Sequence, residues 1–309
     1  MQPYPWDVTE FYMAPTGRDD WSGRLPEANA AGSDGPLATI PGALRRLRGL
    51  SERPMQLATP HVIGGVRGPV VVWMRGGRYA VSEPVTITAA EALPVTFAAF
   101  PGETPVLDGG VCIRDWQVGT HRDQAVWTAD LPEVRAGRWD FRQLVVNGTP
   151  RPRSRWPKRG LLRMAAVPDL RLPASWGNDG QTQFVAAEGD VRAFHNHTDV
   201  EVVYLHFWIE ERSPIQAFDP ATRLVTMARR SRTNLVGCSG SQLADYYLDN
   251  VFEALSEPGE WYLDRAAGRL HYLPLPGETP SDCEVVAPRA LQLLRLVREH
   301  TSTLIFVNN

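Results

Sequence analysis

Two acids in succession, Glu210 and Glu211, follow the aromatic residues Tyr204, Phe207 and Trp208. Hydrolysis of a glycosidic bond needs two carboxyl groups facing that bond, about 5–5.5 Å apart for retention or roughly 6.5–9.5 Å for inversion. Aromatic faces pack well against sugar rings, so Glu210 and Glu211 are the most site-like carboxylates in the chain. The plain alternative is a strand end with solvated acids, since a carboxylate pair means little without a cleft. Asp19, Asp20 and Asp34 stand among glycines and serines, where turn chemistry accounts for them.

His195, His197 and Asp199 alternate, so in a strand all three would share one face, a geometry suited to a small metal site, with His206 not far off. Asn196 and its polar neighbours read equally well as a loop, and no fourth ligand is identifiable; no metal or other cofactor is expected. In GCSGSQ, Ser239 lacks the second glycine and the strand-turn-helix setting of a hydrolase elbow. Asn147-Gly148-Thr149 and Asn196-His197-Thr198 fit the glycosylation triplet by chance. Cys112, Cys238 and Cys283 are too scattered for a disulfide framework and read as buried thiols. The strip RPRSRWPKR places Arg151, Arg153 and Arg155 beside Trp156, a pattern compatible with nucleic-acid contact.

Against that last reading stands the overall balance. Across 309 residues, 32 basic and 35 acidic side chains leave a formal charge of -3. Neither a nucleic acid nor an anionic membrane is favoured as partner. No stretch reaches the ~18 apolar residues of a membrane span, and the opening MQPYPWDVTE has no export-type apolar region, so a cytoplasmic location is the default expectation. The 26 glycines and 26 prolines punctuate short Val/Ile/Leu/Phe runs, which favours many short strands.

The elements that must position these residues are legible in part. Leu37, Ile40, Leu44, Leu47 and Leu50 recur at spacings of three and four, with Thr39 as cap and Pro41 early, predicting one amphipathic helix. Strands are predicted at 70–74, 78–82, 85–88, 95–100 and 105–110. The 25-residue interval from Val70 to Val95 suits a coil of a parallel β-solenoid. From about Trp116 to Cys283 the pattern becomes antiparallel, with strands at 141–148, 181–187, 200–209 and 223–228. Its clearest element is a hairpin pairing Trp261 and Leu263 with Leu270 and Tyr272. Solenoid-like spacing resumes in ALQLLRLV and STLIFVNN.

Taken together, FYMAPTGRDDWSG with DGPLATIPGALRRLR, VVVWMRGGRYAVSEPVTI, VTFAAFPGETPVLDGGVCIRDW, FRQLVVNGTPRPRSRWP and DNVFEALSEPGEWYLDRAAGRLHYLPLPGE resemble the N-terminal half of glycoside hydrolase family 141 proteins. The resemblance implies a mainly β fold: a right-handed parallel β-helix with a capping helix (1–115), an inserted antiparallel β-sandwich-like domain (116–285) and a return to the β-helix (286–309). It implies glycoside hydrolysis of a plant-type polysaccharide or oligosaccharide, with the catalytic carboxylates expected beyond residue 309 and none assignable within the chain. A noncatalytic carbohydrate-binding or structural module is the alternative; a polysaccharide lyase would need calcium ligands that are not clustered here. The arginine strip then becomes an arm returning toward the β-helix. Arg153, Arg155, Trp156, Trp208 and Glu210 are the expected substrate-binding residues.

Overall fold

A computed structural model describes residues 8–51, 62–63, 66–67, 70–88, 95–175, 177, 180–206 and 208–297. Phe207 and the predicted strand STLIFVNN lie outside them. The fold is mainly β, and its contacts divide it into two units, Met1–Gly110 with Arg289–Asn309, and Val111–Pro288. No helix among the described residues is long and apolar enough to cross a membrane.

In the first unit every pairing of the longer strands is parallel. Thr9–Met13, Val70–Met74 and Val95–Ala99 form one sheet in which Val70 lies opposite Val95, so the 25-residue interval is a true register. Gly77–Ala80 pairs with Pro105–Asp108, and Val85–Ile87 with Leu294–Leu296, also parallel. The stretch expected as one strand over 105–110 is split: Asp108 accepts the Gly110 N–H through Oδ1, and the chain leaves in a new strand, Gly110–Ile113.

The helix Ile40–Ser51 covers this core by burying Ile40, Ala43, Leu44 and Leu47, the i, i+3, i+4, i+7 face. Leu37 precedes it, bridging Met13. Thr39 caps as expected, its Oγ1 accepting the Gly42 N–H at 3.0 Å. Asp19 completes the cap from outside, accepting the Ala38 and Thr39 N–H groups and the Thr39 hydroxyl.

The second unit distributes its strands over three sheets. Gln117–His121, Gln124–Asp130, Arg269–Tyr272 and Trp261–Asp264 form an antiparallel sheet, with Trp261 opposite Tyr272 and Leu263 opposite Leu270. Leu144–Val146 pairs antiparallel with both Thr149–Arg151 and Val285–Pro288, and Gly110–Ile113 joins beyond the latter. The tight turn at Asn147 (φ 50°) and Gly148 (φ 75°) is of the hairpin type that needs two left-handed residues. Seven strands make the third sheet: Arg155–Trp156, Leu162–Arg163, Gln183–Val185, Glu201–His206, Ile209–Asp219, Leu224–Met227 and Asp245–Asp249.

The histidine stretch is not the expected strand. Asn196 is left-handed (φ 46°) and His197–Asp199 forms a single 3-10 turn, so His195, His197 and Asp199 do not share a strand face. Asp199 is buried against Arg265 at 2.9 Å. Of the three thiols, Cys238 is exposed and the other two are half-buried, which corrects the expectation of a fully buried set.

Candidate functional site

Because successive strand residues point to opposite faces, the register of the seven-stranded sheet sorts the predicted site residues. Arg155 lies opposite Asp249, which lies opposite Glu201; Tyr247 and Arg212 flank Val203; Asp245 and Glu210 flank Leu205, with Arg163 beside Asp245. These residues form one polar face. The other face carries Val202, Tyr204, Tyr246 and Leu248 into the apolar core.

Alternation therefore separates residues that are adjacent in sequence. Glu210 is on the polar face, where Arg212 holds it at 2.8 Å. Glu211 is on the core face, accepting from His206 Nε2 at 2.9 Å, from the Tyr204 hydroxyl at 3.1 Å and from the Arg232 N–H. The two acids cannot attack one bond together, which corrects their reading as a pair. His206 is buried, with Nδ1 2.7 Å from Thr233 Oγ1; if Nε2 carries the proton donated to Glu211, the Thr233 hydroxyl supplies the one Nδ1 accepts.

Arg155 and Trp156 part in the same way. Trp156, partly buried, packs against the apolar core, with the Arg192 guanidinium 5.9 Å from its ring centroid. Arg155 stays on the polar face, its guanidinium 3.9 Å from the Tyr247 ring centroid. Its Nε donates to the Pro157 carbonyl at 3.0 Å and its Nη2 to that of Gly160 at 2.7 Å. Trp208 is 73% exposed at the tip of the hairpin joining Glu201–His206 to Ile209–Asp219.

Arg153 goes deepest. It is buried, donating Nη1 to Glu201 Oε2 at 2.7 Å, with Asp249 Oδ2 at 3.4 Å, while Nε donates to Asn250 Oδ1 at 3.2 Å. Arg142 adds a forked contact to both oxygens of Glu201, which is 1% exposed. Burial alone would raise the Glu201 pKa, but the hydrogen bonds and charges of Arg142 and Arg153 outweigh it and hold it at about 2. Arg212 links Asp249 (2.9 Å) to Glu210 and donates to the Tyr247 hydroxyl at 3.3 Å. Burial raises the Tyr247 pKa, with Arg212 acting in the opposite sense. Tyr247, Arg212 and Asp249 escaped the sequence reading, although the alternation in DYYLD could have signalled a two-faced strand.

The arginines of this face engage each of its carboxylates. Among the described residues, the carboxylates with displaced pKa values, Asp34, Glu103, Glu201, Asp219 and Glu278, are all displaced downward, and a glycosidase acid needs the reverse. A second polar group surrounds Phe252, with His121, His195 and His271 at 5.2, 5.3 and 5.5 Å from its ring. Burial holds His271 down at about 4. No group of three or more potential ligands arranged for a metal occurs among the described residues. In the first unit a cavity of about 840 Å³ is lined by Arg45, Arg48, Arg78 and Glu83 beside Leu44 and Val85. Glu83 is the sole carboxylate among its described lining residues, so it holds no acid–base pair.

Residues 124–275 match the family model of the GH141 insertion domain. No curated protein sequence matches the chain. A solved structure described as a glycoside hydrolase superposes with a TM-score of 0.69 at 23% identity, covering 94% of this chain and 48% of that one. The chain thus spans about half the length of the structure it matches. A structure described as XylC in complex with xylose gives a TM-score of only 0.33, at 14% identity and over 93% of this chain and 32% of that one. The resemblance to glycoside hydrolase family 141 is therefore carried by a family match over the insertion domain and a fold match over nearly the whole chain.

Proposed function

We propose that this chain is the N-terminal portion of a carbohydrate-active glycoside hydrolase acting on plant-type polysaccharide, and that its first unit begins a right-handed parallel β-helix. The observation that carries the function is the match of residues 124–275 to the GH141 insertion domain. Three parallel pairings, Val70 with Val95, Gly77 with Pro105 and Val85 with Leu294, support the β-helix, because stacked coils pair equivalent strands. In chain order the insertion domain then interrupts the first unit between Pro105–Asp108 and Leu294–Leu296.

In this proposal the polar face of the seven-stranded sheet contacts the saccharide through Trp208, Glu210 and Arg155. Arg153 and Trp156 act behind them, the one fixing Glu201 and Asp249, the other anchoring the strand to the core. The catalytic acid and base are assigned to carboxylates outside this face, since its own acids are each engaged by arginines.

Affinity electrophoresis of the full chain in gels containing xylan or pectic polysaccharide tests the proposal. Retarded migration that is weakened in Trp208→Ala and Glu210→Gln is expected. Migration unaffected by every polysaccharide, or equal retardation in both folded variants, would overturn it. Release of sugar from aryl glycosides by this chain would overturn the placement of the catalytic pair.

A further inference from the structure

Five arginines and four carboxylates meet on or behind the polar face, and their pairing is uneven. Arg142 is matched to Glu201, Arg153 to Glu201 and Asp249, Arg212 to Asp249 and Glu210, and Arg163 to Asp245. Arg155 has no carboxylate within ion-pair distance among the described residues. Its Nε and Nη2 are spent on the two backbone carbonyls, and its guanidinium carbon lies 3.9 Å from the Tyr247 ring centroid.

Carbonyl oxygens and an aromatic face stabilise a cation, but they supply no formal counter-charge. The two carbonyl bonds and the ring also remove the rotamer freedom that a surface arginine would lose on binding, so the fork is held ready before any ligand arrives. Nη1 donates to no group among the described residues. A planar, cationic donor favours a carboxylate over a hydroxyl, because the carboxylate adds an opposite charge and a second acceptor oxygen to the hydrogen bond.

We infer that Arg155 is the recognition point for a carboxylate-bearing sugar, a hexuronate unit of the bound saccharide, with Tyr247 as the platform that orients it. The inference rests on the saccharide-binding function proposed above and adds a substrate class to it. Neighbouring Glu210 and Asp245 are already matched by Arg212 and Arg163, so they leave the Arg155 charge available to a ligand.

The test is calorimetric titration of the full chain with a galacturonate trimer and with a neutral xylose trimer. The wild-type chain is expected to prefer the uronate. Arg155→Met is expected to weaken uronate binding about tenfold or more, the loss of one charge-assisted contact, and to weaken neutral-trimer binding by a smaller factor, so that the preference for the uronate disappears. Arg155→Lys retains the charge without the fork and should recover part of the loss. Uronate affinity unchanged in an Arg155→Met variant with wild-type circular dichroism and melting would overturn the inference, and so would a preference for the neutral trimer; in either case saccharide binding itself would stand. Binding of neither trimer would overturn both.

Discussion

The buried Arg153 guanidinium reaches Glu201 at 2.7 Å across 48 residues of sequence, joining the arginine strip to the centre of the seven-stranded sheet. Both groups are buried, so removing Glu201 leaves Arg153 with only Asp249 at 3.4 Å and the Asn250 amide, and leaves Arg142 without its carboxylate. Glu201→Ala is expected to lower the unfolding free energy by about 3–5 kcal/mol, measured by urea denaturation followed through tryptophan fluorescence.

The same pair gives a sign for acid sensitivity. The Glu201 pKa of about 2 in the folded chain lies below its ordinary 4.5. Its stabilisation is therefore fully present above about pH 4.5 and is lost as pH falls through about 2, some 3 kcal/mol in all. In Glu201→Gln the urea midpoint should vary less with pH across that window than in the wild type.

Glu210 and Glu211 are expected to behave oppositely despite their adjacency. Glu211→Ala leaves His206, Tyr204 and the Arg232 N–H short of an acceptor and should cost about 1–3 kcal/mol or more. Glu210→Ala removes an exposed pair with Arg212 and should cost no more than about 1 kcal/mol. Thermal melts of the two variants decide between this arrangement and one in which both acids are solvated.

A Cβ on Gly42 would lie 2.1 Å from Asp19 Oδ1, the oxygen that caps the helix. Gly42→Ala should therefore destabilise by about 1–3 kcal/mol through overpacking, and Asp19→Ala by about 1 kcal/mol through the lost cap. In the double variant the clash disappears. The combined loss should fall short of additive, and a double-mutant cycle measures the difference.

His271 offers a spectroscopic check on the second unit. Burial lowers its pKa to about 4 from an ordinary 6.5, with Arg269, His121 and His195 acting in the same sense against Asp264. The unfolded chain thus takes up this proton first, so folding weakens as pH falls from about 6.5 to 4. Side-chain NMR should show the imidazole neutral at pH 6, and His271→Gln should remove that part of the slope.

Features built from local spacing were legible in sequence. The helix follows from Ile40, Leu44 and Leu47, its cap from Thr39, the hairpin pairing from the alternation around Trp261 and Tyr272, and the first parallel register from the 25 residues between Val70 and Val95. The charged residues named as candidates, Arg153, Arg155 and Glu210, do gather on or behind one sheet face. Their roles were not legible, because the partners that define them are remote: Arg153 meets Asp249 and Asn250 across 96 and 97 positions.

Periodicity says which residues can share a face, and turn chemistry says where a chain reverses; both act over a few residues and are written in their order. Whether a charge is matched or left over depends on which strands lie side by side, and that is decided only when the sheet closes. Tertiary pairing turned Arg153 into a buried counter-ion, turned Trp156 and Glu211 toward the core side of the sheet, and left Arg155 on the ring of Tyr247 with no carboxylate partner among the described residues.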